Sequence, residues 1–250
     1  MAQPWHNRHV RTLIVSDIHS NVVAFDAVLA GAREDGPIER VWCLGDVVGY
    51  GPEPMACIER LWDLDATVIS GNHDAVAVGR IDLKEFNGPA AEAARWNGAQ
   101  LSAEARSYLS ALPETVVEAP FTLVHGTPRD PLWEYLTGGA QAEQAWGAIP
   151  TPHVIVGHSH FQFTCSRSRG VEQAGPGGRV VRLDGDRLAA NPGSVGQPRD
   201  GDPRAAYAVF DDEAATLALR RAPYDVAATQ AAMIDAGLPL PLIERLAVGR

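Results

Sequence analysis

Cysteine is scarce in this chain. Cys43, Cys57 and Cys165 are the only three in 250 residues, and their spacing matches no disulfide framework and no thiolate metal site. Such usage suits a reducing interior, and Cys43, inside an apolar run, reads as a core thiol. Long apolar runs are also missing: none approaches the roughly 18 residues of a membrane span. The polar residues 1–9, with Trp5 among them, lack the apolar core of a signal peptide. The expectation is a cytoplasmic protein without a membrane partner. A basic balance is absent too. The net charge of −10 is opposite in sign to what a long nucleic-acid track requires. Bound metals would reverse that field locally.

What the chain does have is enough apolar sequence to build a core. Hydrophobic residues make up 46% and charged residues 21%, a balance that supports a buried core at this length. Strands are expected at residues 11–15, 41–44 and 66–69, with helices at 21–34 and from Pro52 to about Trp62. Strand, helix, strand, helix, strand is α/β organisation with a largely buried sheet. Residues 75–112 are alanine-rich, with helices expected near 88–97 and 103–112, the second capped by Ser102. This helical excursion is placed to cap a site. Strands follow at 121–124 and 153–156, with one or two short helices between them carrying Trp133, Tyr135 and Trp146.

From Gly170 onward the pattern reads as antiparallel. Residues 180–183 and 187–190 around Asp184-Gly185-Asp186 are expected to form a hairpin, and residues 207–210 and 216–220 a second. A helix capped by Asp225 and a last turn or two over 239–246 complete the chain. Neither a repeat nor a linker divides it, so one domain over residues 1–250 is expected.

Polar residues recur at the ends of these apolar runs. They read Asp17-Ile18-His19, Gly45-Asp46, Gly71-Asn72-His73-Asp74, His125-Gly126 and Gly157-His158-Ser159-His160. In an α/β sheet, residues just past a strand's carboxyl end lie at the usual site edge. Taken singly, Asp17 reads equally as a helix cap and Asp46 as a turn aspartate before Gly49, while Asn72-His73 reads better as an asparagine turn. The pair His158 and His160 is less easily explained as a core histidine, because two rings at i and i+2 past a strand fall on one side. Gly45, Gly49 and Gly51 would let backbone pass close to ions or substrate.

Jointly, Asp17, His19, Asp46, Asn72, His125, His158 and His160 offer seven oxygen or nitrogen ligands and no thiolate. That set suits two divalent or trivalent transition-metal ions, Mn or Fe first, with Zn or Ni also compatible, and argues against a structural zinc finger. His73 is set apart by the adjacent Asp74, which is placed to orient the ring and raise its pKa.

With these five blocks in this order, the chain resembles the calcineurin-like metallophosphoesterase superfamily, in particular its small bacterial phosphodiesterase and phosphatase members. Asn191-Pro192-Gly193-Ser194-Val195-Gly196 is similar to the closing segment of those members, so the resemblance spans about 200 residues. It implies a four-layer α/β/β/α sandwich of two mixed sheets. It implies one metal on Asp17, His19, Asp46 and His160, and a second on Asp46, Asn72, His125 and His158. A metal-bridging hydroxide would attack phosphorus, His73 would protonate the leaving oxygen, and Asp74 would support His73. Ser159 stands where the family usually has threonine, at a position that binds no metal. Many small bacterial phosphodiesterases carry cysteine in place of His73, so histidine here leaves monoesters and diesters both open.

The favoured substrate is a small or nucleotide-type phosphodiester. Phosphomonoesters or phosphoproteins on the same centre, nuclease activity, and a non-catalytic binding module are the alternatives. The acidic charge speaks against a nuclease, since Arg167, Arg169 and Arg179 form only a loose basic segment. Intact ligands and His73 speak against a module without activity. For substrate contacts, Tyr50 follows the Asp46 turn, and Arg129 and Arg199 could fork a phosphate oxygen. Asn191 would instead hold the closing loop, and Trp133, Tyr135 and Phe161 are expected to pack rather than stack a base. Oligomeric state stays open.

Overall fold

The computed structural model describes residues 9–250. Its first five elements alternate: β1 (Arg11–Val15), α1 (Val22–Glu34), β2 (Arg40–Cys43), α2 (Pro54–Asp63) and β3 (Thr67–Val68). The three strands are parallel neighbours. Asn21 caps α1 by accepting the Ala24 N–H. The second helix opens at Pro54 rather than Pro52. The Gly51 and Glu53 N–H groups are held by His19 and Ser20 carbonyls, so residues 51–53 belong to the loop.

The excursion carries α3 (Asn72–Ala77), α4 (Gly88–Gln100) and α5 (Ala103–Ala111), and Ser102 caps α5 as expected. Then come β4 (Thr115–Glu118), β5 (Phe121–Val124), α6 (Gly139–Gly147), β6 (His153–Ile155), β7 (Gln162–Ser166) and β8 (Gly170–Gln173). The chain closes with β9 (Arg179–Arg182), β10 (Leu188–Pro192), β11 (Ala205–Asp211), β12 (Thr216–Ala222), α7 (Val226–Asp235) and α8 (Leu240–Glu244). A 3-10 turn, Arg245–Val248, follows α8. Among the described residues no helix is long and apolar enough to cross a membrane.

Two mixed six-stranded sheets result, ordered β3-β2-β1-β11-β12-β9 and β4-β5-β6-β10-β7-β8. Side-chain alternation explains the layering. On β1, Ile14 points into the space between the sheets with Trp42, Phe121, Ile155 and Phe210. Leu13 and Val15 point outward beneath Phe25, Val28, Ile58 and Leu109 of the helices. On the far side, Val124, Val154 and Phe163 pack against Trp146 of α6. Each such fully buried side chain contributes roughly 1.5–3 kcal/mol. The expected α/β/β/α sandwich is therefore observed.

One expected hairpin is not. β9 pairs with β12 in the first sheet, and β10 lies between β6 and β7 in the second, parallel to β6. Asp184-Gly185-Asp186 therefore sits in a crossover between sheets. Burial explains the choice. All five β10 side chains are buried, whereas a hairpin with the edge strand β9 would expose one face of them. The other hairpin, β11 with β12, forms as expected.

Candidate metal centre

The carboxyl ends of β1, β2 and β3 and those of β5 and β6 bring five loops together at one end of the sandwich. Asp17, His19 and Asp46 have φ of 53°, 48° and 53°, and His158 and His160 have 65° and 60°. Five non-glycine residues in the left-handed region is costly, and such strain concentrates at working sites. It also corrects the sequence expectation about geometry. The paired ligands converge because left-handed turns curl them inward, not because strand alternation continues past β1 and β6.

Backbone bonds hold these turns. Asp17 N–H donates to the Gly45 carbonyl (3.0 Å), His19 N–H to Asp46 (2.9 Å) and Gly157 N–H to His125 (2.8 Å). The glycines serve this packing of loop on loop. Gly49, at φ +99°, lies flat against the His73 ring, and a Cβ at Gly71 would fall on the Asp46 carboxylate.

The ring orientations fit a cation. His19 donates from Nδ1 to the Val48 carbonyl (3.1 Å), His125 to Leu44 (2.7 Å) and His160 to Gln197 (2.6 Å). In its neutral form each ring therefore aims an Nε2 lone pair into the site. His19 and His160 bring those atoms within 3.1 Å of each other, and His160 Nε2 lies 3.2 Å from Asp17 Oδ1. His125 Nε2 is 3.2 Å from Asn72 Oδ1 and 3.4 Å from Asp46 Oδ2. Both Asp17 oxygens, Asp46 Oδ2 and His158 Nε2 are buried without a hydrogen-bond partner. Acceptors facing acceptors away from water are unfavourable unless cations lie between them. Two buried groups at this end can hold metal, Asp17-His19-Asp46-His160 and Asp46-His125-His158, with Asp46 common to both.

Electrostatics agree with that fit at all rings but His125, where the Asp46 and Asp17 carboxylates outweigh burial and raise the pKa to about 9, so that a cation there would displace a proton. Burial pushes His19 well below its ordinary pKa and His158 down to about 3, so both stay neutral, the state a ligand needs. Burial opposes ionisation of Asp17 and Asp46. The imidazoles of His160 and His125 around the first, and of His125 and His73 around the second, outweigh it and hold both as carboxylates.

His73 opens α3. Its N–H donates to Asp46 Oδ1 (2.8 Å), and its ring lies 4.4 Å from Tyr50 and 4.3 Å from Phe86. Asp74 does not orient this ring, contrary to expectation. Its two oxygens accept the Val48 N–H (3.1 Å) and the Gly71 N–H (3.0 Å), so it ties the Asn72 turn to the Asp46 loop. Nor is His73 raised in pKa: burial lowers it to about 4.

A cleft of about 280 Å³ opens over Asp46, Asn72, His73, His158 and His160. Tyr50 and Arg199 line it, joined by a 3.2 Å bond from Arg199 Nη2 to the Tyr50 hydroxyl. Arg129 does not reach it. Glu134, five residues on, captures its guanidinium at the surface. Trp133 and Tyr135 line the cleft instead of packing under a loop, and Tyr135 stacks on His158 at 4.1 Å. Phe161 is exposed and outside it.

Reading the sequence missed Phe86, Arg245 and Asn97. The first two line the cleft. Asn97 of α4 is fully buried; it accepts from Ser20 Oγ (2.5 Å) and Gly49 N–H (3.1 Å) and donates to the Gly51 carbonyl (3.1 Å). An asparagine inside an alanine-rich helix was the available signal. Asn97→Ala is expected to destabilise the protein by about 2–4 kcal/mol, because three buried groups lose their partner at roughly 1–3 kcal/mol each and relax only partly. Equilibrium urea unfolding checks this, and a loss under about 1 kcal/mol would show that water replaces the amide.

The segment from Asn191 to Pro198 staples the two sheets' ligand turns. Asn191 donates to the Gly157 carbonyl (2.6 Å) and Ser159 Oγ (3.0 Å), as expected of a loop holder. Ser194 Oγ and Gly196 N–H both donate to the Asp17 carbonyl (2.8 and 3.0 Å).

Known proteins are similar to this chain in sequence and fold. An uncharacterized protein of Methanocaldococcus jannaschii is 34% identical over 243 residues, covering 95% of this chain and 97% of its own. The crystal structure of a metallophosphoesterase from Sphaerobacter thermophilus superposes with a TM-score of 0.88 at 40% identity, covering 97% of this chain and all of that one (100%). A hypothetical protein from Pyrococcus horikoshii has the same fold, with a TM-score of 0.80 at 21% identity over 96% of this chain and 99% of its own. Residues 10–214 match the calcineurin-like phosphoesterase superfamily domain, and the chain belongs to that superfamily.

Proposed function

We propose that this chain hydrolyses phosphodiester bonds in small, nucleotide-type molecules. One cation would sit on Asp17, His19, Asp46 and His160, and a second on Asp46, Asn72, His125 and His158. The observation that carries the reading is the set of buried, unpartnered acceptors at the floor of an aromatic-walled cleft. Two transition-metal cations there would supply an activated water and neutralise charge on phosphate oxygens.

The chain's own residues do the rest. His73 lines the cleft, belongs to neither ligand group, and stands where it can give a proton to the leaving oxygen. An anionic phosphate against its ring favours the protonated form that burial alone disfavours. Asp74 acts as a positioning residue through the Gly71 and Val48 N–H groups. Aromatic rings meet the centre at both ends, Tyr135 on His158 and Tyr50 beside His19, which suits a phosphorus bearing two substituents. Glu85, Phe86, Asn87 and Ala90 of the excursion wall the cleft. That wall supports small molecules over the surface of a folded protein.

The test is to load the protein separately with Mn²⁺, Fe²⁺, Ni²⁺ and Zn²⁺, measure bound metal, and compare bis-p-nitrophenyl phosphate with p-nitrophenyl phosphate. The expected result is a kcat/KM at least about ten-fold higher on the diester, a difference near 1.4 kcal/mol in barrier. A monoester preference would reassign the protein as a phosphatase. Full metal content without turnover of either ester would overturn the phosphoesterase reading.

A further inference from the structure

The cleft holds two arginines that the metal centre does not use. Arg199 bonds only neutral groups, the Tyr50 hydroxyl (3.2 Å) and Gln197 Oε1 (2.9 Å from Nη2), and its guanidinium lies 5.7 Å from the Tyr50 ring centre. Arg245 comes from the far end of the chain, on the 3-10 turn after α8, where its Nε donates to a carboxyl oxygen of Arg250, the last residue of the sequence, and its two Nη groups have no bond among the described residues. Among the described residues, neither lies within ion-pair distance of an Asp or Glu carboxylate. By contrast, Arg60, Arg167, Arg204 and Arg221 are each paired with one.

Both arginines are half-buried and line one cleft, and each leaves N–H donors without a partner among the described residues. Keeping two like charges together, partly withdrawn from water, is unfavourable unless an anion joins them. The strain shows on Arg245, whose proton is held less firmly because of burial and the nearby Arg199.

The placement is built rather than incidental. Leu242, Ile243 and Leu246 pack with Tyr50, Ala90 and Ala93 in one apolar cluster, which fixes the turn against the cleft. Gly201 N–H donates to the Gly249 carbonyl (2.9 Å), tying the same turn to the loop that carries Arg199. Tyr50 links this corner to the centre, since its ring lies 4.6 Å from His19 and 4.4 Å from His73. Besides Asp46, the one carboxylate among the lining residues is Glu85, which is exposed and pairs with neither arginine.

We infer that Arg199 and Arg245 form a second anion subsite, which binds a phosphate linked to the one being cleaved. The substrate is then a phosphoanhydride-containing ester, with two or more consecutive phosphates, rather than a simple diester. The inference rests on the metal-centre reading for which phosphate is cleaved, but not for the subsite itself. Paired forks suit phosphate oxygens, and the Tyr50 hydroxyl adds a third polar group.

Calorimetric titration of the full chain with ADP and with AMP tests it, both metal-free and Mn²⁺-loaded. The metal-free arm removes chelation by the second phosphate. Wild type is expected to bind ADP about ten-fold more tightly than AMP, the effect of one charge-assisted pair of contacts. Arg245→Gln should bring that ratio below about two-fold with AMP affinity unchanged, and Arg245→Lys, which keeps charge but loses the fork, should fall between.

Equal affinities in wild type would overturn the subsite, as would a Gln variant that weakens both ligands equally. Should the Gln variant unfold by circular dichroism, the Lys variant decides, and an unchanged ratio there overturns the role of the fork. Turnover of bis-p-nitrophenyl phosphate in the same preparations separates the two readings. Turnover without an ADP preference sinks the subsite alone. An ADP preference without turnover leaves the subsite standing and sinks the proposed hydrolysis.

Discussion

Asp46→Asn is expected to strip the protein of both metals and to lower kcat/KM on a phosphodiester by at least roughly 10³-fold, the several kcal/mol that metal charge stabilisation supplies. Asp46 is the one residue shared by the two ligand groups. Its Oδ1 accepts the His73 N–H at 2.8 Å, while Oδ2 lies 3.7 Å from His19 Nε2 and 3.4 Å from His125 Nε2 with no hydrogen bond of its own. An asparagine keeps an oxygen for His73 and the same shape, so the loop survives. What it loses is the charge and the second acceptor that lets one side chain serve two cations. Emission spectrometry should find both metals reduced, not one. The rise in melting temperature on adding Mn²⁺ should shrink with them, because binding to the folded state is what raises it. A variant that keeps two metals and near-normal turnover would show that Asp46 does not bridge.

How much of this was readable in the sequence depends on the range of the interaction. β1 and β5 have the bounds expected from their apolar runs, and six of the seven candidate ligands sit in loops just past strands while Asn72 opens α3 after β3. Local signals of that kind, an apolar run broken by glycine and then a polar residue, need no knowledge of the rest of the chain. The way the ligands converge was not readable, since φ near +50° at Asp17, His19 and Asp46 is imposed by bonds to neighbouring loops.

Partner choice was also hidden. Asp74 stands next to His73 in sequence yet bonds the Val48 N–H, and Arg129 stands four residues past His125 yet is taken by Glu134. The order of β9 and β10 was decided by burial in two different sheets, which a turn motif cannot report. Arg245 joins the cleft only because α8 packs on Tyr50 and α4, a contact across about 200 residues. Nothing near Arg245 in the sequence signals it.

His73→Ala is expected to act differently from Asp46→Asn, and the difference identifies its role. The ring belongs to neither ligand group, and its backbone N–H, not its side chain, holds Asp46. Metal content should therefore stay at the wild-type level. On a diester with an alkoxide leaving group, loss of a general acid lowers kcat by about 10²–10⁴-fold. With p-nitrophenolate the leaving oxygen is weakly basic and departs without a proton, so the loss should be less than about ten-fold. The ratio of the two losses is the diagnostic quantity, because any general damage to the cleft lowers both alike. Phe86 and Tyr50 flank the ring, so removing it also opens space beside the centre. His73→Gln, which fills much of that space without a titrating proton, should give the same ratio. Equal losses on both leaving groups would mean that His73 only holds the phosphate, and the proton would have to come from another group or from water.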